Sequence, residues 1–155
     1  MITAMIIAVV VLLIDQITKY LISANMLLFE DIPVISGFFH ITYVQNTGMA
    51  WSLLSGQQLF LSLAAAVAIG VMLWVLLTKK PDRLTTIALG LMIAGAAGNL
   101  IDRLLFAYVR DFLNFYIFGY DFPVFNVADI ALCLGVGLLI LESLIEERKE
   151  KKVLA

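Results

Sequence analysis

Four apolar stretches organise the chain, at residues 2–22, 59–77, 84–105 and 126–145. A helix needs about 20 mostly apolar residues to cross a hydrocarbon core, and each stretch is near that length. The second is polar only at Ser62 and ends at Thr78-Lys79-Lys80-Pro81. In the third, Gly90, Ala94 and Gly98 recur every four residues, a spacing that lets helices approach closely in lipid. The pattern predicts an all-α membrane protein: four transmembrane helices in a single integral membrane domain over residues 1–155, with loops at 23–58 and 106–125. An N-terminal apolar stretch can be a removable leader. This one is long, lacks a basic start and carries Asp15 and Lys19 at its far end, so it reads as a retained first span.

The two longer loops carry structure of their own. Residues 38–44, FFHITYV, follow Gly37 and are rich in aromatic and β-branched side chains, the signature of a short strand. Residues 108–125 are aromatic too, with Gly119 and Pro123 as breakers. A small extracytoplasmic β-sheet fits both. Orientation follows from the basic residues, which favour the cytoplasmic side. Lys79, Lys80 and Arg83 lie between spans two and three, and Arg148, Lys149, Lys151 and Lys152 follow span four. The loop 23–58 has no lysine or arginine, and the other long loop has only Arg110, with Arg103 at its border. Both termini are therefore expected in the cytoplasm.

Composition narrows the chemistry. The chain is 63% hydrophobic and 14% charged, with a mean hydropathy of +1.03, far from a soluble domain. The net charge of −2 says little about partners, and there is no basic face for nucleic acid. The charge run 146–152 reads as a solvated helix end. Cys133 is the single cysteine, so no intramolecular disulfide can form, and its small neighbours suggest packing. His40 is likewise alone and reads as structural.

The polar residues at membrane depth gather toward one end of the spans. Asp15 and Lys19 close span one; Asn99, Asp102 and Arg103 close span three; Asp111 follows in the loop; Asn126 and Asp129 open span four. Ionisable groups at membrane depth are costly and face a bundle interior or a cavity. Asp15 and Lys19, four apart on a helix, can neutralise each other, which makes them structural. Asp102 and Arg103 either pair with each other or orient a substrate. Asn126 can cap span four with Asp129 at its third position, where a carboxylate suits the helix dipole. Capping leaves Asp111 without a task in the apolar context VRDFLNF. Two adjacent carboxylates share one proton. The ionised member can then activate water while the protonated member hydrogen-bonds a scissile carbonyl. Asp111 and Asp129 fit that role, although spacing alone does not set their distance.

Five blocks occur in order: Asp15-Gln16-Ile17-Thr18-Lys19, Asn46-Thr47-Gly48-Met49-Ala50-Trp51, Gly98-Asn99-Leu100-Ile101-Asp102-Arg103, Val109-Arg110-Asp111-Phe112 and Phe125-Asn126-Val127-Ala128-Asp129. Together they resemble lipoprotein signal peptidase, also called signal peptidase II, over nearly the whole chain. The resemblance implies an aspartyl endopeptidase of the bacterial cytoplasmic membrane. It would cut the signal peptide from a diacylglyceryl-modified prolipoprotein just before the lipidated cysteine. Asp111 and Asp129 match its catalytic pair. Asn46, Gly48, Asn99, Arg103 and Asn126 match positions that line or support the substrate site. The resemblance further implies membrane lipid and globomycin-type inhibitors as partners, no metal or cofactor, and a mobile lid within residues 46–57.

Three other readings compete. A proton-coupled transporter would place its site at the midplane and show internal repeats, and none is visible. A serine–lysine hydrolase could use Ser52 or Ser55 with Lys19, but Lys19 has Asp15 as its nearer partner. A noncatalytic scaffold would explain the packing glycines and not the carboxylates.

Overall fold

The computed structural model describes residues 1–49, 51 and 53–154. Among them, four helices are long and apolar enough to cross a membrane: α1 (Ile2–Asn25), α2 (Gln58–Thr78), α3 (Arg83–Phe106) and α4 (Val127–Leu154). Many of their large apolar side chains point outward. Ile6, Val9, Leu13, Leu63, Val67 and Leu134 are each more than half exposed, a surface suited to contact with lipid. The interior holds an apolar cluster of Ala4, Met72, Leu76, Leu89 and Ala96, but the largest fully buried side chains are Lys19, Asn126, Asp15, Asp102 and Asp111.

Helix α3 is the central post. Half of its most apolar window is buried, against 11% for α1, and it packs on each of the other three helices. The small residues read in the sequence make this possible. A Cβ on Gly90 would stand 2.9 Å from the carbonyl oxygen of Ala4 in α1. One on Gly98 would strike the Asp15 carboxylate, and one on Gly95 the backbone of Ala128 in α4. The start of α3 is fixed by Asp82, whose carboxylate accepts from the amides of Leu84 and Thr85 at 2.6 and 3.1 Å. Its end is set by Ala107 in the left-handed region, φ 62°, which turns the chain into the next strand.

The two longer connections meet at one end of the bundle as an antiparallel sheet ordered β1 (Asp31–Ile35), β2 (Phe39–Asn46), β3 (Val109–Ile117), β4 (Tyr120–Asp121). The expected strand at 38–44 is β2, extended to Asn46. Strand β1 was not expected: it is five residues, fully exposed and interrupted by Pro33, so it shows no alternation to read. His40 is structural as expected, with its Nδ1 2.7 Å from Asp31 on the neighbouring strand.

A bulge in β2 matters for the site. Ile41 pairs with Leu113 but Val44 pairs with Asp111, so two β2 residues face one β3 residue between these pairs. In a regular strand Ile41 and Asn46 would point to opposite faces. The extra residue puts Asn46 on the face that carries Asp111.

Candidate active site

Strand β3 is clamped at its start and along its free edge. Asp102, in the last turns of α3, accepts from the Arg110 backbone amide at 2.9 Å and from the Arg110 guanidinium at 3.1 and 2.7 Å. The expected alternative of an Asp102–Arg103 pair is therefore wrong. Neighbours on a helix diverge by about 100°, so only Asp102 turns back to the strand, and Arg103 instead donates to the Gly48 carbonyl at 2.9 Å. On the other edge, the amides of Phe112 and Leu113 both donate to the Phe125 carbonyl, and the Phe125 amide donates to Leu113. That pairing sets Asn126 and the start of α4 beside Asp111.

The start of α4 is a reciprocal cap. The Asp129 amide donates to Asn126 Oδ1 at 3.0 Å, and the Asn126 amide donates to Asp129 Oδ2 at 3.1 Å. The expected capping geometry is thus present, and it leaves Asp129 Oδ1 free for a second partner, Asn99 Nδ2 at 2.8 Å. Asp111 is held in parallel. Asn126 Nδ2 donates to its Oδ1 at 2.6 Å, and Asn46 Nδ2 to its Oδ2 at 2.9 Å. Each carboxylate thus takes two N–H donors, and Asn126 touches both. Burial, and then the Asp129 charge, push the Asp111 carboxyl up to about 7.

Both carboxylates line one cavity of about 570 Å³. Asn46, Gly48, Asn99 and Arg103 also line it, with Val109, Phe122, Phe125 and Ile130 as an apolar wall. Of the candidate site residues only Asn126 is absent from the lining; it is fully buried behind it. A second cavity, about 420 Å³, reaches Asn46 and Asp111 beside Val44, Gln45 and Thr47. Between β2 and α2, Trp51 spans to the β4 hairpin, its Nε1 donating to the Tyr120 hydroxyl at 3.0 Å. Ala50 and Ser52, inside the segment read as a lid, lie outside the described residues.

Asp15 and Lys19 form the expected ion pair, 2.9 Å apart and fully buried. Asp15 does more than neutralise the lysine, since its Oδ1 also accepts from the Ala128 amide in the first turn of α4 at 2.9 Å. Lys19 is committed to Asp15 and Asn99 and the Ser55 hydroxyl lies 2.6 Å from that of Thr47, so no serine–lysine arrangement forms among the described residues; Ser52 lies outside them. Cys133 is not packed away as expected. It is exposed and lines the cavity, because the α4 face that follows Asp129 turns inward to the site. Two groups went unread in the sequence. Gln16 donates to Asp15 and the Gly98 carbonyl and accepts from Arg110. Arg110 stands in the motif block Val109-Arg110-Asp111-Phe112 with no role readable for it there. The place of Gln16 beside Asp15 at membrane depth was the available signal.

Comparison with known proteins agrees with this architecture. The sequence model of the family described as signal peptidase (SPase) II matches residues 7–145. The lipoprotein signal peptidase of Halalkalibacterium halodurans is 45% identical over 148 residues, 95% of each chain. That of Bacillus subtilis is 44% identical over 147 residues, 94% of this chain and 96% of the relative. A bacterial membrane enzyme solved by the in meso method at 2.3 Å resolution superposes with a TM-score of 0.89 at 38% identity, covering 96% of this chain and 91% of the other. A helical bundle with a polar interior, a capped sheet at one end and this sequence likeness lead to one assignment: the chain is a multi-pass membrane peptidase that belongs to the signal peptidase II family.

Proposed function

We propose that Asp111 and Asp129 are the catalytic dyad of this peptidase, acting on signal peptides of prolipoproteins just before a diacylglyceryl-modified cysteine. The observation that carries the reading is Asn126, whose side-chain amide donates to the Asp111 carboxylate and whose backbone amide donates to the Asp129 carboxylate. It ties two carboxylates from different elements to one cavity wall. Close carboxylates do not both ionise readily, so the pair holds one proton. Charge balance around them agrees. Lys19, Arg103 and Arg110 offset Asp15, Asp102 and one ionised member of the dyad.

The chemistry follows from that state. The ionised carboxylate takes a proton from a water as the water oxygen attacks the scissile carbonyl carbon. The protonated carboxyl hydrogen-bonds the carbonyl oxygen and stabilises the tetrahedral intermediate. Collapse breaks the C–N bond, and the proton taken from water passes to the leaving cysteine nitrogen. Asn46, Asn99 and Asn126 hold the carboxylates, while Arg103 and Gly48 border the space for the peptide. The apolar wall of Val109, Phe125 and Ile130 suits a signal peptide arriving from the bilayer. The lid lies within residues 46–57, where Trp51 bonds to Tyr120.

The site lies at the end of the bundle opposite Lys79, Lys80, Lys149 and Lys151. With basic residues inside, both termini are cytoplasmic and the dyad works near the outer leaflet, where lipid-modified substrate and globomycin-type inhibitors enter laterally. The test is mass spectrometry of products from a synthetic diacylated prolipoprotein peptide and the purified protein. A single cut on the amino side of the lipidated cysteine is expected. No cut, or equal cleavage of the unlipidated peptide, contradicts the substrate assignment.

A further inference from the structure

The Asp15–Lys19 pair is neutral on its own, yet its surroundings give the lysine more to do. Lys19 Nζ donates to Asn99 Oδ1 at 3.0 Å, lies 2.9 Å from Asp15 and 3.6 Å from Asp102, and is completely buried. Asn99 Oδ1 takes a second bond from Asn126 Nδ2 at 3.2 Å, so both of its lone pairs are used. Its Nδ2 donates to Asp129 Oδ1 at 2.8 Å. A lysine ammonium has three donors and no acceptor. Rotating the Asn99 amide by half a turn would set its NH2 against the Lys19 ammonium and the Asn126 NH2. It would also set its carbonyl against the Asp129 carboxylate. Three repulsive contacts would replace three hydrogen bonds.

We propose that Lys19 is a positioning residue for the dyad: its ammonium locks Asn99 in the orientation that donates to Asp129, and its charge offsets the ionised member of the pair. The inference rests on the dyad reading above. A bare ion pair between Asp15 and Lys19 would need no amide in α3, whereas this one sits between the membrane-embedded charges and the cavity. The charged groups around it are Asp15 from α1, Asp102 and Arg103 from α3, Arg110 and Asp111 from β3, and Asp129 from α4. Of the cations among them, Arg110 is committed to Asp102 and Arg103 to the Gly48 carbonyl. Lys19 is the one linked to Asp129 through a single amide. Its charge also acts on Asp111, holding that carboxyl lower than burial alone would leave it.

The test replaces the charge without stranding its partner. In the double variant Asp15→Asn/Lys19→Met the buried carboxylate and ammonium go together, and the introduced side-chain carbonyl at position 15 can still accept from the Ala128 amide. Lys19→Gln serves as a second variant, keeping an amide donor toward Asn99 with no charge. Folded protein is counted by detergent size exclusion, and kcat, KM and the pH profile are measured per folded molecule on the diacylated peptide. The expected result is a fall in kcat on the order of 10- to 100-fold, the range seen when an outer-shell partner of a catalytic ligand is removed, with KM nearly unchanged. In Lys19→Gln, where Asp15 keeps its charge, the alkaline limb set by Asp111 should move to higher pH. In an Asn99→Ala background, the Lys19 substitution should cost little more, because the group it acts through is gone. A wild-type kcat and an unmoved pH limb per folded molecule would overturn the inference, even if the yield of folded protein falls, and would leave Lys19 a folding residue. Asp111→Asn, run alongside, separates the two claims. If that variant stays active the dyad reading fails, whereas if it is dead while the Lys19 variants are normal only the positioning role fails.

Discussion

Gly98 is where helix packing and the site meet, and Gly98→Ala should damage both. A Cβ there would overlap the Asp15 carboxylate and lie 3.1 Å from its Cγ and 3.2 Å from the Ala128 Cβ. Neither neighbour can give way. Asp15 is held by Lys19 and by the Ala128 amide, and Ala128 is fully buried. Overpacking of this kind typically costs about 1–3 kcal/mol. For a chain of this size each kcal/mol lowers Tm by about 2–4 °C. The displaced group caps the turn that carries Asp129, so kcat should fall as well. Gly70→Ala is the matched control: it lies within α2 and a Cβ there meets nothing within 4 Å. In helices alanine is favoured over glycine by about 1 kcal/mol, so its Tm should hold or rise. Thermal unfolding in detergent, followed by tryptophan fluorescence, reads both variants. Equal Tm and activity for Gly98→Ala and wild type would refute this packing argument, as would equal losses at Gly70 and Gly98.

Three further expectations concern charge and topology. Since Asp111 titrates at about 7 instead of the usual 3.8, the folded state binds its proton more tightly than the unfolded chain does. Its contribution to stability is therefore full below 3.8 and lost as pH rises through about 7; Asp111→Asn should flatten the fall of Tm over that window, and an unchanged slope would contradict the shift. In a Cys133→Ser background, cysteines at Ser55 and Gly119 should react with an impermeant thiol reagent in intact cells while those at Lys80 and Lys149 do not; labelling at Lys80 but not Ser55 would invert the topology. Activity should survive EDTA, and a loss restored by added metal would count against a purely carboxylate mechanism.

The fold was legible where one physical demand dominated. Length and apolarity alone located the four helices, although α1 runs on to Asn25 and α4 to Leu154, beyond the apolar stretches that marked them. Aromatic and β-branched density located β2, while β1, short, exposed and containing Pro33, offered no periodicity. The cap formed by Asn126 and Asp129 was readable because it is local, three residues apart. What remained hidden is what joins distant parts of the chain. The bulge in β2 that turns Asn46 toward Asp111, the partner choice of Asp102, and the amide chain from Lys19 through Asn99 to Asp129 all depend on how elements dock. The exposure of Cys133 in the cavity depends on it equally. A single sequence marks such residues as costly at membrane depth without saying which of them touch.

The central claim is that Asp111 and Asp129 perform the proton transfers, and amide replacement of each tests it most directly. Asp111→Asn and Asp129→Asn keep the size of the side chain, so insertion and the size-exclusion profile should persist. An amide cannot serve as a general base or hold the shared proton. Loss of acid–base assistance alone is worth about 10²–10⁴-fold, and cleavage of the diacylated prolipoprotein peptide should fall at least that far in each variant. A well-folded variant of either residue that retained substantial cleavage would contradict the account.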